Sequence, residues 1–281
     1  MKSSVKTISR RSFLSGAGIA ALGVGLARTP INAFGSEPLP PLPWPYPVTD
    51  PLDPDEVRKR AYCLYYTEGG CGHGGGQSLI DALAEKMPDP WSSLPRGLYK
   101  YGACGVVNWS TLCGALNGSI AVLNILGVHG VLGDALMSYY STTALPTDAL
   151  EGWVPDDPSV PIPLTGITTT VANSPLCHIS VSKWAAAAGV PVADPSKKDR
   201  CAKLVGDIVA YAVELLNNHF VYEVALAPWT PPEDYADCYS CHTQKDMVPS
   251  QHGKMDCHDC HDASPPPHGK WEIAPPKKGR E

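Results

Sequence analysis

Two short cysteine motifs near the carboxy-terminal end contain the residues whose types and spacing point most directly to a chemistry. Cys238-Tyr239-Ser240-Cys241-His242 and Cys257-His258-Asp259-Cys260-His261 both read C-x-x-C-H. In this pattern two thiols add to the vinyl groups of a haem, and the histidine that follows ligates the iron. The motifs therefore predict two c-type haems per chain, attached through four cysteines, with His242 and His261 as proximal ligands.

The same four cysteines also fit the spacing of a zinc ribbon. Zinc would use the four thiolates and leave His242 and His261 without a role. A structural exported protein with zinc and disulfides is the corresponding alternative, and it would be colourless. Only residues 243–256 separate the motifs, a reach of at most ~45 Å. Two haems on this segment are therefore expected to be near neighbours that exchange electrons.

Six-coordinate haem irons need two further ligands. His252 and His268 are the distal candidates, because each precedes a glycine in a proline-bounded stretch that is free to fold back over a porphyrin. A solvated surface histidine is the alternative for each. Met247 or Met255 could replace a histidine as the axial ligand, which would raise the reduction potential.

The first 33 residues have the features of an export signal. Four basic residues and no acid precede an apolar run over 13–27 that is short and rich in glycine. Residues 9–14, Ser-Arg-Arg-Ser-Phe-Leu, match the twin-arginine pattern, and an ordinary secretory signal is the alternative. We therefore expect export to the periplasm by the twin-arginine route and no permanent membrane anchor. Because this route carries folded cargo, it indicates a second cofactor inserted before export.

The net charge excludes some partners. The chain has a formal charge of −6, and removing the leader with its five Lys and Arg residues lowers this to −11. Such an acidic chain is a poor candidate for binding nucleic acid or anionic membrane surfaces. Basic redox partner proteins suit it better.

The composition predicts a mainly α fold in three parts after the signal of residues 1–33. A proline-rich arm over 34–57 is expected to lie across the body or a partner subunit, with a mobile leader as the alternative. A helical, cysteine-rich body follows over 58–227, and an irregular dihaem segment covers 228–281.

Helices are predicted over 55–66, 77–87, 109–126, 130–140, 175–188 and 195–218. Glycines at 69–76 are expected to separate the first two helices. Ser174-Pro175 and Asp194-Pro195 are the predicted starts of the last two.

Six cysteines lie in the body, and two interpretations remain open for them. In an exported protein they could form disulfides, for which six thiols allow fifteen pairings. They could instead ligate an iron–sulfur cluster, since glycines next to several of them let backbone N–H groups approach the sulfurs. The six are Cys63, Cys71, Cys104, Cys113, Cys177 and Cys201.

Taken together, the twin-arginine start, the cysteine-rich helical body and the two terminal motifs resemble the split-Soret cytochrome c family, dihaem proteins of sulfate-reducing bacteria. The body also resembles the C_GCAxxG_C_C family of cysteine-rich redox proteins. Cys71, Cys113, Cys177 and Cys201 match its series in order, with Cys104 as a substitute ligand. The resemblance implies a homodimer with bis-histidine haems, one axial ligand crossing from the partner chain, and an iron–sulfur centre in the body, of the 2Fe-2S type.

These observations favour an electron-transfer protein over an enzyme. Saturated axial positions leave no vacancy for a substrate, and no P-loop, dinucleotide fingerprint or Ser-His-Asp pattern is present. The alternative is a haem-dependent reductase of small nitrogen oxides or peroxide, which requires one iron with an open site.

Overall fold

The computed structural model describes residues 38–243, 253–256 and 258. Over these residues the chain is mainly helical and contains isolated bridges in place of strands, which confirms the predicted fold class. None of the helices in this part combines the length and hydrophobicity of a membrane span. The helices are α1 (Pro54–Leu64), α2 (Gly70–Lys86), the single turn α3 (Pro88–Trp91), α4 (Gly114–Ile125), α5 (His129–Thr142), α6 (Cys177–Ala188), α7 (Ser196–Phe220) and α8 (Glu233–His242).

Helix α7 lies at the centre of the body. It is the longest of these helices, and most of its residues are buried, including Val205, Ile208 and Leu216. α1, α2, α4 and α5 all pack against it. Because residues on nearly every face of α7 are covered, the other helices are arranged around it as a scaffold.

The glycine-rich stretch belongs to helix α2, so the prediction of a glycine loop before a helix at 77–87 was wrong. Glycines lower helix propensity, but here they form the surface against which α4 packs. A Cβ atom on Gly118 of α4 would lie 2.4 Å from the carbonyl oxygen of Gly72 in α2, and one on Gly75 would lie 2.8 Å from that of Ala115. The two backbones are therefore in direct contact, and tertiary packing stabilises a helix that the local sequence disfavours.

The predicted helix over 109–126 begins late, at Gly114. The preceding loop holds several residues with positive φ, namely Cys104, Val106, Val107, Asn108 and Ser110. Side chains other than glycine rarely adopt this conformation, so apolar periodicity did not reveal the loop. Trp109, which was expected on the helix, is 81% exposed.

The two predicted capping pairs differ in accuracy. The Asp194 carboxylate accepts a hydrogen bond of 2.9 Å from the Ser196 backbone N–H, at the start of α7. Helix α6 begins two residues later than expected, at Cys177, with Leu176 at the N-cap position. Within the segment predicted to be irregular, residues 233–242 form α8.

From Pro40 onward the proline-rich arm packs on the body, and the described residues of both belong to one compact unit. Trp44 is buried, donates its backbone N–H to the Ile125 carbonyl oxygen at 2.9 Å, and packs edge-on against Trp91. The Tyr46 hydroxyl donates to Asn217 Oδ1 at 2.6 Å. The arm thus contacts residues at the carboxy-terminal ends of both α4 and α7.

A row of buried charged residues on α7 forms hydrogen bonds with the long loop between α5 and α6. Asp199, Lys203 and Asp207 recur every four residues and are at most 4% exposed. Asp207 accepts hydrogen bonds of 2.7 Å from the backbone N–H and the hydroxyl of Thr147. Lys203 donates to the Leu164 carbonyl oxygen, and Asp199 accepts from the Leu164 backbone N–H at 3.2 Å.

Candidate metal and haem sites

Cys113 and Cys177 are brought together by a short backbone pairing, although they lie far apart in the sequence. The Cys113 N–H donates to the Pro175 carbonyl oxygen at 3.0 Å, and the Cys177 N–H donates to that of Thr111 at 2.7 Å. An isolated antiparallel bridge lies between these two bonds. Cys113 is therefore the N-cap residue of α4, and Cys177 is the first residue of α6.

Cys71 joins them through the glycine contact between α2 and α4. A Cβ atom on Gly114 would lie 3.0 Å from the Cβ atom of Cys71 and 2.2 Å from the carbonyl oxygen of Gly102. The nearby backbone N–H of Cys104 acts to lower the pKa of the Cys71 thiol, against the larger effect of burial. Only glycine at position 114 leaves room for this arrangement.

Cys201 approaches from α7 together with two cations. The Arg200 guanidinium Nη1 lies 3.9 Å from the Cys201 sulfur, and the Lys197 ammonium lies 3.9 Å from the Cys104 sulfur. Cys71, Cys113, Cys177 and Cys201 are all buried, and each interacts electrostatically with others of the set. We refer to these four residues as the body cysteine site.

Three of the four thiols lie at helix amino termini, where free N–H groups and the helix dipole favour a thiolate. These are Cys71, the second residue of α2, with Cys113 and Cys177 as described above. The sequence predicted such a position for Cys177 and also for Cys201, which lies more than one turn inside α7.

The thiols resist ionisation without a bound cation. Burial raises the pKa of Cys71 well above its ordinary value, and the neighbouring Cys113 and Cys201 raise it further. Burial also raises the pKa of Cys113, and it raises the pKa of Cys177 to about 12. A metal cation among these sulfurs reverses the balance, because it stabilises the thiolates that repel one another. The donor set therefore fits a thiolate-bound iron centre.

The other two body cysteines differ in their surroundings. Cys104 is half-buried beside Lys197 and close to the body cysteine site. Cys63 is half-buried elsewhere, and its charged neighbours are Asp157 and Asp156. No two of the six form a disulfide. Across the described ranges, no three His, Cys, Asp or Glu side chains lie at the mutual distances of a metal site, so the thiols are grouped but not at ligand spacing.

The first C-x-x-C-H motif lies on helix α8, where Cys238 and His242 are both half-buried. Residues at positions i, i+3 and i+4 of a helix share one face. This spacing places both cysteines and the histidine of the motif on the same side of α8. The described part of the motif therefore fits a haem attached along one helix face.

The segment just before α8 forms a partly apolar cleft against α5. A cleft of about 620 Å³ lies between α5 and residues 226–230, with Val131 and Trp229 in its lining. The Lys254 ammonium pairs with Asp134 of α5 and lies 5.2 Å from the centroid of the Trp229 ring. The cleft has the size of a small-molecule site.

Several predicted haem residues lie outside the described residues, so their roles stay predictions. These are Cys257, Cys260, His261, His252, His268 and Met247, together with the side chain of Cys241. Met255 is described and partly exposed. His258 Nδ1 lies 3.4 Å from the Asp256 carboxylate.

The comparisons with known proteins point to one family. A split-Soret cytochrome c of Desulfovibrio desulfuricans is 30% identical over 217 residues, which are 73% of this chain and 74% of the relative. The chain belongs to the split-Soret cytochrome c family. A solved structure, described as a novel iron centre in the split-Soret cytochrome c from Desulfovibrio desulfuricans, superposes with a TM-score of 0.64 at 28% identity. The match covers 83% of this chain and 95% of that structure's chain. No protein-family model matches.

Family membership confirms the resemblance drawn from the sequence motifs. The sequence did not identify the two cations beside the cysteines of this split-Soret family member. Arg200 directly precedes Cys201, and Lys197 lies one turn earlier. A basic residue next to a candidate ligand is the signal that could have found them. Tyr140, whose buried hydroxyl lies near Cys113, had no comparable signal.

Proposed function

We propose that this protein is an exported electron-transfer cytochrome with two covalently attached c-type haems and an iron–sulfur centre, of the 2Fe-2S type, in its body. Membership of the split-Soret cytochrome c family, together with the two C-x-x-C-H motifs, carries the proposal. Such haems supply one-electron redox chemistry at a potential set by their axial ligands and surroundings.

At the first haem, α8 supplies the attachment. Cys238 and Cys241 provide the thioether sulfurs, and His242 provides the proximal nitrogen. Trp229 packs edge-on against Tyr239 of α8, with 5.5 Å between the ring centroids. Aromatic residues beside the helix give a porphyrin an apolar surface to pack on, which excludes water from its edge.

In the body, the proposed ligands are Cys71, Cys113, Cys177 and Cys201. Thiolates are the usual ligands of iron–sulfur clusters, and hydrogen bonds to their sulfurs tune the reduction potential. The backbone N–H of Cys104, which acts to lower the pKa of the Cys71 thiol, is the candidate donor of such a bond. The iron centre named for the solved relative supports this assignment.

Location and assembly follow from the same proposal. The twin-arginine leader would deliver a folded body to the periplasm, where the haems are attached. A homodimer with His252 and His268 among its distal ligands, one of them crossing between chains, would pass electrons to basic partner proteins. The acidic mature chain supports this choice of partner.

Metal and sulfide analysis of the purified mature protein tests the proposal. We expect two haems by pyridine haemochrome, about four irons and about two acid-labile sulfides per chain. The visible spectrum should be low-spin. Two haem irons without sulfide would remove the iron–sulfur part, whereas the absence of haemochrome would overturn the whole proposal. A high-spin spectrum of the ferric protein, together with carbon monoxide binding after reduction, would indicate an open haem site. That result would favour the reductase over the electron carrier.

A further inference from the structure

Arg200 is a buried cation without a carboxylate partner. The side chain is 2% exposed, and its guanidinium Nη2 donates to the Ser180 hydroxyl at 2.7 Å. Its Nε has no hydrogen-bond partner, and no Asp or Glu of the described residues forms an ion pair with it. Burying a charge in this way costs several kcal/mol unless nearby negative charge offsets it.

The nearest acidic groups are those of the body cysteine site. The Arg200 Nη1 lies 3.9 Å from the Cys201 sulfur. The guanidinium is therefore positioned where ionised cysteines, rather than a carboxylate, would offset its charge.

A second cation reaches the same region from the same helix. Lys197 lies three residues before Arg200 on α7, and its ammonium is 3.9 Å from the Cys104 sulfur. Lys197 is partly exposed, so its field is screened by water, whereas that of Arg200 is not. The two differ in burial, and we expect Arg200 to have the larger effect.

We propose that Arg200 is a positioning residue for the iron centre, which neutralises part of its negative charge and holds its reduction potential up. This inference rests on the iron centre of the proposed function. Four thiolates give such a centre net negative charge, and reduction adds one more. A fixed guanidinium stabilises the more negative form more strongly. At an effective dielectric constant of about 20 and a separation of several Å, this changes the redox equilibrium about a hundred-fold.

The test is a redox titration of the sulfide-containing centre, followed by electron paramagnetic resonance, in the full haem-loaded protein. In R200Q we expect about a hundred-fold less reduced centre at a given solution potential. This equals a fall of about 120 mV at ~59 mV per tenfold. R200K retains the charge and should stay within about threefold of wild type.

K198Q is the matched control, because Lys198 is exposed on the same helix and lies 4.7 Å from the centroid of the Tyr66 ring. Removing the Lys198 charge should shift the redox equilibrium of the iron centre by less than about threefold. A wild-type potential in R200Q would overturn the inference, as would a shift in R200K as large as that expected for R200Q. If R200Q does not fold, R200M takes its place in the same titration, with the same expected fall and the same overturning result. A wild-type protein without sulfide would instead mean that the proposed iron centre is wrong.

Discussion

The body cysteine site and the haem segment differ in how their ligands are brought together. The body site takes one thiol from each of α2, α6 and α7 and a fourth from the N-cap of α4, so it exists only when those helices are packed. The first haem motif places Cys238, Cys241 and His242 on one turn of α8. A site of the first kind requires folding before metal binding, whereas one of the second kind is complete in a short peptide. This difference supports the proposal that the body is loaded before export and that the haems are attached afterwards.

Removing ligands from one region should therefore leave the other region intact. We expect C238A/C241A to reduce haem from two per chain to one while non-haem iron and sulfide are retained. C113S should remove the iron and sulfide and keep both haems. Pyridine haemochrome and sulfide analysis measure the two quantities in the same sample. Loss of both cofactors in either variant would break the comparison, because the regions would then depend on each other.

The dependence of the body site on backbone packing predicts a large effect at Gly114. In G114A the new Cβ atom would lie 2.2 Å from the Gly102 carbonyl oxygen and 2.7 Å from the Gly72 nitrogen. We expect the free energy of unfolding to fall by about 3 kcal/mol, as measured by urea denaturation. Gly130 of α5 has no heavy atom within 4 Å of the corresponding position, so G130A is the matched control. Equal stability of the two variants would contradict close packing of α2 on α4.

Buried carboxylates on α7 also show that the body depends on contacts between residues far apart in the sequence. Asp207, which bonds to Thr147, is the example. Burial raises the pKa of Asp207, against the hydrogen bonds from Thr147 and the charges of Arg58 and Lys203. A carboxyl group with a raised folded pKa adds stability that is complete below its unfolded pKa and is lost as the pH rises through the folded one. D207N should remove this fall in the free energy of unfolding, which begins as the pH rises above the ordinary Asp value of 3.8. The exposed D89N is the control and should follow the wild-type profile.

The smallest effect is expected at the surface just before α2, where Glu68 pairs with Arg96. The Arg96 guanidinium lowers the pKa of Glu68 below its ordinary value of 4.5, against a smaller effect of burial. The stabilisation is thus present above pH 4.5 and is lost as the pH falls through the lowered value. R96Q also breaks the ion pair of Arg96 with Asp81, so it should cost about 1 kcal/mol or less at pH 7 and less than that once Glu68 is protonated. R60Q is the control. It removes the surface ion pair between Arg60 of α1 and Glu85 of α2, which has no link to Glu68.

Local signals in the sequence predicted much of the fold. The apolar periodicity of α1, α5 and α7 and the Asp194 cap were readable because they depend on neighbouring residues. The first half of helix α2 was not, since its glycines are helical only through contact with α4. The loop before Gly114 was missed because its positive φ values have no apolar pattern.

The two sites divide in the same way. C-x-x-C-H is a contiguous pattern, so the haem motifs were found at once. The membership of Cys71, Cys113, Cys177 and Cys201 in one site came from resemblance to a family, and their spacing alone left disulfides open. Which cations surround them depends on the packing of α7, and the basic residues just before Cys201 are the one signal of it in the sequence.

The arm has a consequence for the order in which the chain is completed during synthesis. Trp44 needs a carbonyl group at the end of α4, and Tyr46 needs Asn217 near the end of α7. A ribosome must therefore translate nearly all of the body before Trp44 and Tyr46 both find their partners. The arm can therefore dock fully only after α7 has been translated, shortly before the first haem motif emerges.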